Sequence, residues 1–310
     1  MKLISKYLTV VVTCIAFMAC NSRQENLAEE NAIYYWRTEF RLDSTERAFL
    51  KQYNINKVYC RYFDVVMSSA DTSATAIPMP NATITFSDTL PSGIELVPTV
   101  YITENCMHQQ HDGLAEKIVK RVLQMNETND ISGVRELQID CDYTARSRQV
   151  YYDFLKEVYQ EWSHFSTPSS PLSPLSSLLS PLLSTTIRLH QLSMTAPPVD
   201  YGVLMLYNTG DPQKFDERNP ILDIRDVSPY LRHLSGYPLP LAAAYPVFQW
   251  SRTIYGVRVE HTADAEEVLR VKKAVERQRP ELRRCILTYH LDKENIQRYK
   301  PESYEKIYHH

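Results

Sequence analysis

Glu136-Leu-Gln-Ile-Asp-Cys-Asp-Tyr-Thr144 is the stretch from which the fold of this chain is read. Side chains of an extended strand alternate between two faces. Glu136, Gln138, Asp140 and Asp142 then share one face, and Leu137, Ile139, Cys141 and Tyr143 share the other. The first face is polar and acidic, while the second can pack beneath helices. Two carboxylates on the inner face of a buried strand are costly unless they are paired, hydrogen-bonded or used in chemistry. The reading is a central strand whose C-terminal end carries an active or binding site.

Strand and helix patterns alternate outward from it. On the N-terminal side, strands are expected at Ile33–Phe40, Lys57–Val66 and Leu96–Thr103. A helix capped by Ser44 spans Ser44–Tyr53, and Gly113–Met125 carries Leu114, Ile118, Val119 and Val122 at helical spacing. Between the second and third strands lies Ser68–Gly93, rich in Pro, Ser and Thr, with one short β-like run at Ala82–Phe86 and no good helix. On the C-terminal side a helix is expected at Ser147–Trp162, then strands at Thr185–Leu192 and Tyr201–Asn208, the latter apolar enough to be buried on both faces. A short helix at Asp226–Leu234, a strand within Leu241–Trp250, a helix at Asp264–Arg277 and a last strand at Arg284–Asp292 complete the chain. In that last strand Ile286, Thr288, His290 and Asp292 fall on one face.

This alternation is of α/β class with a mainly parallel sheet. Eight strands over this length best suit an irregular (β/α)8 TIM-like barrel. Helices two and five are expected to be weak or missing, because Leu192 to Tyr201 is too short a link for a helix. A doubly wound open sheet is the alternative. Ser166–Ser184 (residues 166–184), with its repeated Ser-Pro-Leu units, interrupts the pattern; repeated proline forbids a regular helix or central strand, so it reads as a loosely packed insertion.

Met1–Cys20 reads as a targeting segment, with Lys2 and Lys6 before an apolar run. Phe17-Met-Ala-Cys20 resembles a bacterial lipobox, which implies lipidation at Cys20; an ordinary signal peptide or a short membrane anchor is the alternative. Residues 21–32 read as a flexible tether and 33–310 as one domain. The expected location is therefore a membrane-anchored lipoprotein, periplasmic or on the cell surface. A net charge of −3 gives no electrostatic footprint for nucleic acid. Glycine is scarce at 7 residues, and neither GxGxxG nor a P-loop is present, so no cofactor is expected. The 21 tyrosines fit core packing or sugar stacking equally well. Cys60, Cys106, Cys141 and Cys285 are expected as buried free thiols, because the strands that carry Cys60, Cys141 and Cys285 are not barrel neighbours.

In such a barrel the site forms at the C-terminal strand ends. Those ends are polar or aromatic almost throughout: Trp36 and Arg37, then Arg61 and Asp64, then Tyr101 and Glu104. Asp140 and Asp142 follow, then Arg188, His190 and Gln191, then Tyr207 and Asn208. Gln249 and Trp250, with His290 and Asp292, close the set. Each has an ordinary structural explanation, such as an Arg–Asp ion pair or a hydrogen-bonded core histidine. Their recurrence at one mouth points to carbohydrate, with carboxylates for acid/base work and aromatics for sugar faces. Asp140 and Asp142 are the candidate catalytic pair. Trp36, Arg37, Arg61, Asp64, Arg188, His190, Tyr207, Asn208, Trp250, His290 and Asp292 are candidate ligand contacts. His108-Gln-Gln-His111 has ligand-like spacing but no third ligand nearby, so no metal site is expected.

The segments LQIDCDYT, TTIRLHQL, PPVDYGVLMLYNTG, AYPVFQW and ILTYHLD together resemble a family of uncharacterised bacterial lipoproteins expected to form glycosidase-like barrels. More distantly, Asp140-Cys-Asp142-Tyr-Thr144 is similar to the strand-four Asp-x-Asp-x-Glu motif of chitinase-like glycoside hydrolases. Thr144 stands where that motif has its catalytic Glu; a register shifted by two places Asp142 at the acid position. The resemblance implies either a glycoside hydrolase with Asp142 as acid/base and Asp140 as its electrostatic partner, or a non-catalytic glycan-binding or assembly lipoprotein on a degenerate barrel.

Overall fold

The computed structural model describes residues 29–68, 76–166, 180–211, 218–254 and 257–309. The residues read as a targeting segment with Cys20, most of those read as a tether, and the Ser-Pro-Leu run over 167–179 lie outside the described residues. Eight strands build a closed parallel barrel: β1 Glu30–Tyr35, β2 Ile55–Met67, β3 Glu95–Ile102, β4 Glu136–Asp140, β5 Leu182–Ile187, β6 Tyr201–Met205, β7 Leu241–Pro246 and β8 Cys285–Tyr289. Neighbours in the barrel follow chain order, and β1 pairs with both β8 and β2 to close it. The barrel reading holds and the open-sheet alternative falls.

The helices around it are α1 Ser44–Gln52, α2 Leu114–Thr128, α3 Arg148–Ser166, α4 Ile224–Leu234, α5 Ala265–Gln278, α6 Lys293–Ile296 and α7 Pro301–Tyr308. Among the described residues no helix joins β2 to β3. Instead Pro78–Asn81 runs antiparallel along the outer half of β2, and Thr85–Phe86 pairs with Glu39–Phe40. Between β5 and β6 only a 3-10 turn, Leu189–Ser193, is formed. The helix expected to start on a Ser44 cap is capped one residue earlier. Asp43 accepts from the Glu46 N–H at 2.8 Å while Glu46 accepts from the Asp43 N–H at 2.9 Å, a reciprocal pair that satisfies two otherwise orphaned donors.

Two boundaries move for one physical reason. β1 takes in Glu30–Ala32, which the sequence reading assigned to the tether, and β5 takes in Leu182–Ser184, which it assigned to the insertion. Both additions carry groups that the barrel floor needs. Glu30 lies 2.8 Å from the Lys57 ammonium, and the Ser184 hydroxyl donates to Glu136 at 2.5 Å. Lys57 also meets Glu136 at 3.5 Å and Glu95 at 3.8 Å. Above this floor the Gln138 amide accepts from the Tyr34 hydroxyl at 2.8 Å and donates to Ser184 at 3.2 Å. Glu136, Gln138 and Asp140 thus climb the inner face of β4 from floor to mouth, each one partnered, as buried polar groups must be. The four cysteines of the described chain are buried free thiols, as expected.

Candidate active site at the barrel mouth

A cavity of about 890 Å³ opens at the C-terminal ends of the strands. Its charged wall begins at β4. Asp140, the last residue of that strand, is buried, and its Oδ1 accepts from the Thr186 hydroxyl at 2.5 Å and from an Arg188 Nη at 3.3 Å. The Arg188 Nε donates to Asp142 Oδ1. Ser184, Thr186 and Arg188 follow the period-two rule along β5, which is how this guanidinium comes to face Asp140. Burial pushes the Asp140 carboxyl above the usual carboxylate range, against the pull of Arg188 and with a push from Asp142. Burial also opposes the charge on Arg188, but the two carboxylates outweigh it and raise its pKa well above the ordinary value. The guanidinium is therefore a fixed cation that bridges two carboxyl groups. The expectation that Asp140 and Asp142 meet at the mouth beside Arg188 is realised. Their sharing of one strand face is not, because β4 ends at Asp140 and the Asp142 side chain is 48% exposed.

Two strands away, on β2, Arg61 and Asp64 form a bidentate pair, with Nε to Oδ1 at 2.7 Å and an Nη to Oδ2. Residues three apart on a regular strand face opposite ways. Here β2 slips register against β3 between Arg61 and Phe63, and both side chains reach the cavity. The Arg61 guanidinium also stands over the Trp36 ring, 5.7 Å from its centre.

Most of the remaining lining is aromatic. Tyr289 touches Trp36, Tyr207 and Phe248 with ring centres 5.6, 4.8 and 5.4 Å apart. Tyr101 comes from β3, and Trp250 is carried on a hairpin, Gln249–Ile254 with Val257–Thr262, where it packs against His261 at 4.6 Å. His290 completes the rim, its Nε2 lying 3.2 Å from the Asn295 amide nitrogen. Burial lowers the His290 pKa, so a neutral imidazole faces the cavity at neutral pH.

Trp36, Arg61, Asp64, Asp140, Asp142, Arg188, Tyr207, Asn208, Trp250 and His290 are therefore brought together as expected. Arg37, His190 and Asp292 are not. Arg37 pairs with Glu46 at 3.0 Å and donates to the Arg41 carbonyl at 2.7 Å, so it secures the start of α1. His190 leaves the strand pattern because β5 stops at Ile187 and the chain enters a 3-10 turn that exposes it. Asp292 caps α6, accepting from the Glu294 N–H at 2.9 Å.

The cavity also uses Tyr101, Gly210, Pro220, Phe248 and Tyr289, which were not among the candidates. Tyr289 is the most consequential of these. The last strand was read with Ile286, Thr288, His290 and Asp292 on one face, the face of the candidate site residues His290 and Asp292, whereas Thr288 bonds the Tyr308 hydroxyl of α7 at 2.5 Å. Thr288 therefore faces out and Tyr289 faces in. Glu104, at the end of β3, accepts from the Thr144 and Ser147 hydroxyls at 2.8 Å each and lies 3.0 Å from His108 Nε2. A carboxylate thus stands beside Thr144, but it is not part of the cavity lining. Burial would raise its pKa, yet the hydrogen bonds prevail and lower it, so Glu104 is an anchored acceptor rather than a proton donor.

No protein-family model matches the chain, and no curated protein matches it. Solved structures do. The spore cortex-lytic enzyme SleL of Bacillus cereus superposes with a TM-score of 0.51 at 13% identity, over 90% of this chain and 73% of that one. A GH18 chitinase from Cycas revoluta in complex with (GlcNAc)3 gives 0.54 at 10% identity, over 90% and 98%. A chitinase-like agglutinin, RobpsCRA from Robinia pseudoacacia, gives 0.50 at 11% identity, over 89% and 98%. At such identities the likeness is one of fold, and the fold it shows is the (β/α)8 barrel.

Proposed function

We propose that the protein is an exported, lipid-anchored lectin-like barrel that grips a glycan in its mouth and does not hydrolyse it. The observation that carries this reading is the state of the carboxylates. Arg188 holds Asp140 and Asp142 together, and Arg61 holds Asp64 through both of its oxygens. A general acid must carry a proton that it can release onto the leaving oxygen. Carboxylates fixed on guanidinium groups are instead oriented acceptors, suited to sugar hydroxyls. Tyr101, Tyr207, Trp250 and Tyr289 supply apolar faces for the ring carbons. Thr144 occupies the place that the chitinase-like motif gives to Glu, and the Robinia protein shows a relative of this fold described as an agglutinin. A hydrolase reading has one point in its favour, the raised carboxyl of Asp140.

Calorimetric titration with chitooligosaccharides, beside chromatography for cleavage products, separates the two. Binding without products is expected. Asp142→Asn is expected to weaken affinity about tenfold or more, while the exposed position of Asp142 keeps the change in stability within about 1 kcal/mol. Steady turnover that the substitution abolishes would overturn the non-hydrolytic reading, and failure of every saccharide to bind would overturn both.

The anchor rests on the lipobox-like Phe17-Met-Ala-Cys20 and the polar segment after it. Cys20→Ser is expected to abolish incorporation of labelled fatty acid and to move the protein from the membrane to the soluble fraction. Membrane association that survives the substitution would point to an uncleaved anchor instead.

A further inference from the structure

The two most exposed large apolar side chains among the described residues, Ile77 at 56% and Met79 at 47%, lie on one segment. Pro78–Asn81 pairs antiparallel with the outer end of β2, with Asn81 opposite Asp64 and Met79 opposite Val66. The pairing runs one step further: the Ser68 N–H donates to the Ile77 carbonyl at 2.8 Å, and the Ile77 N–H to the Ser68 hydroxyl at 3.0 Å. β3 last meets β2 at Val65, so Val66 and Met67, with the segment opposite them, rise beyond the barrel wall as a two-stranded ribbon. Side chains two apart on a strand share a face, and so do residues directly opposed in an antiparallel pair. Asp64 lines the mouth. Val66, Met79 and Ile77 therefore continue the Asp64 face outward, about 7 to 13 Å beyond it at 3.3 Å per residue. Apolar residues scattered singly over a surface need no explanation, but these form a strip that borders a polar site. The free edge of the ribbon is closed by contrast. Residues that bond the partner strand alternate, so Ile77 and Met79 turn their amides toward β2. The outward amide positions fall on Pro78 and Pro80, which have no N–H to offer an added strand. What stays open is a side-chain face, suited to a hydrocarbon chain rather than to a peptide strand.

We propose that this strip receives an apolar tail carried by the glycan itself, so that the ligand is an amphiphile, a sugar bearing an alkyl or acyl chain. This deepens the glycan-binding reading and rests on it. The sugar sits in the mouth beside Arg61 and Asp64, and the tail leaves along Val66, Met79 and Ile77. The continuity of one strand face from Asp64 to Met79 is what ties the strip to this occupant. Covering the strip removes apolar surface from water, and the gain grows with each methylene that lies on it. Met79 is unbranched and flexible, so it can follow a chain of no fixed shape.

The test is calorimetric titration with chitobiose, its octyl glycoside, and chitobiose carrying an octanoyl group on its terminal amine, all below micellar concentration. The proteins are the full chain, the double variant Ile77→Ser with Met79→Ser, and Met79→Leu. For the unaltered chain, at least one tailed sugar is expected to bind about tenfold or more tightly than chitobiose. The double variant is expected to lose most of that gain and to keep its chitobiose affinity, while Met79→Leu, which stays apolar, retains the gain. Both side chains are exposed, so the variants are expected to fold normally. The proposal is overturned if neither tailed sugar binds more tightly than chitobiose, if the double variant keeps the gain, or if plain and tailed sugars weaken equally. Vesicle binding or dimerisation of the Cys20→Ser chain that the two serine substitutions abolish would assign the strip to a membrane or to a second copy, and also overturn it. An unaltered chain that binds no sugar, plain or tailed, overturns the glycan-binding reading itself, and the amphiphile with it.

Discussion

Replacing Arg188 with alanine is expected to destabilise the fold by about 3–5 kcal/mol at neutral pH and to abolish ligand binding. The guanidinium is the cation that faces Asp140, whose carboxylate is almost wholly buried. Removing it leaves that charge with the Thr186 hydroxyl and no counterion. The pH dependence makes the expectation specific. The Asp140 carboxyl already stands above the usual range in the folded chain, and Arg188 is the group that draws it down. Without Arg188 it rises further. A carboxyl raised in the folded state contributes stability below its unfolded pKa, about 3.9, and loses it as pH rises through the folded value. The deficit of the variant relative to the unaltered chain should therefore be small near pH 4 and largest near pH 8. Urea unfolding at the two pH values measures it. Adding Asp140→Asn to the variant should restore stability at pH 8 without restoring binding. An Arg188→Ala chain that unfolds at the same urea concentration as the unaltered one at pH 8 would mean that Asp140 is not held by this pair.

How far the sequence could be read follows from where hydrogen-bonded ladders end. Inside a ladder the period-two rule is enforced by pairing, and there the residues fell where expected: Glu136, Gln138 and Asp140 on the inner face of β4, with Arg188 continuing the inner face of β5. The mouth was legible because charges at strand ends are expensive to bury without purpose, so Arg61, Asp64, Asp140 and Arg188 stand out against an apolar background. One or two residues past the ladder the rule has no physical basis. His190 turns outward in a 3-10 turn, Asp292 becomes a helix cap, and Asp142 lines the site from beyond the strand end, paired with Arg188. The aromatic half of the site was harder to read. Tyr289 is one tyrosine among 21, and nothing in its neighbours distinguishes a cavity hub from a packed core residue. Phe248 lies past the end of β7, where strand periodicity no longer assigns a face.

Lys57→Met offers the matching experiment at the other end of the barrel. Lys57 is a buried cation ringed by Glu30, Glu95 and Glu136. The Glu136 carboxyl is fully buried, and burial raises its pKa while Lys57 draws it down. Removing the ammonium strands that charge and is expected to cost about 3–5 kcal/mol at neutral pH. The deficit should narrow toward acid, by the same sign argument as for Asp140. Glu136→Gln in the same chain should recover most of the loss, because glutamine can keep the bond to Ser184 and brings no charge. Four strand steps separate Glu136 from Asp140, about 13 Å at 3.3 Å per residue. A ligand in the mouth does not reach that floor, so chitooligosaccharide affinity should be unchanged in Lys57→Met at temperatures where it remains folded. The two substitutions thus give opposite signatures: Arg188→Ala loses stability and binding together, and Lys57→Met loses stability alone. Equal loss of affinity in both would show that the polar column along β4 acts as one unit, and the mouth could then no longer be treated as a site separable from the scaffold beneath it.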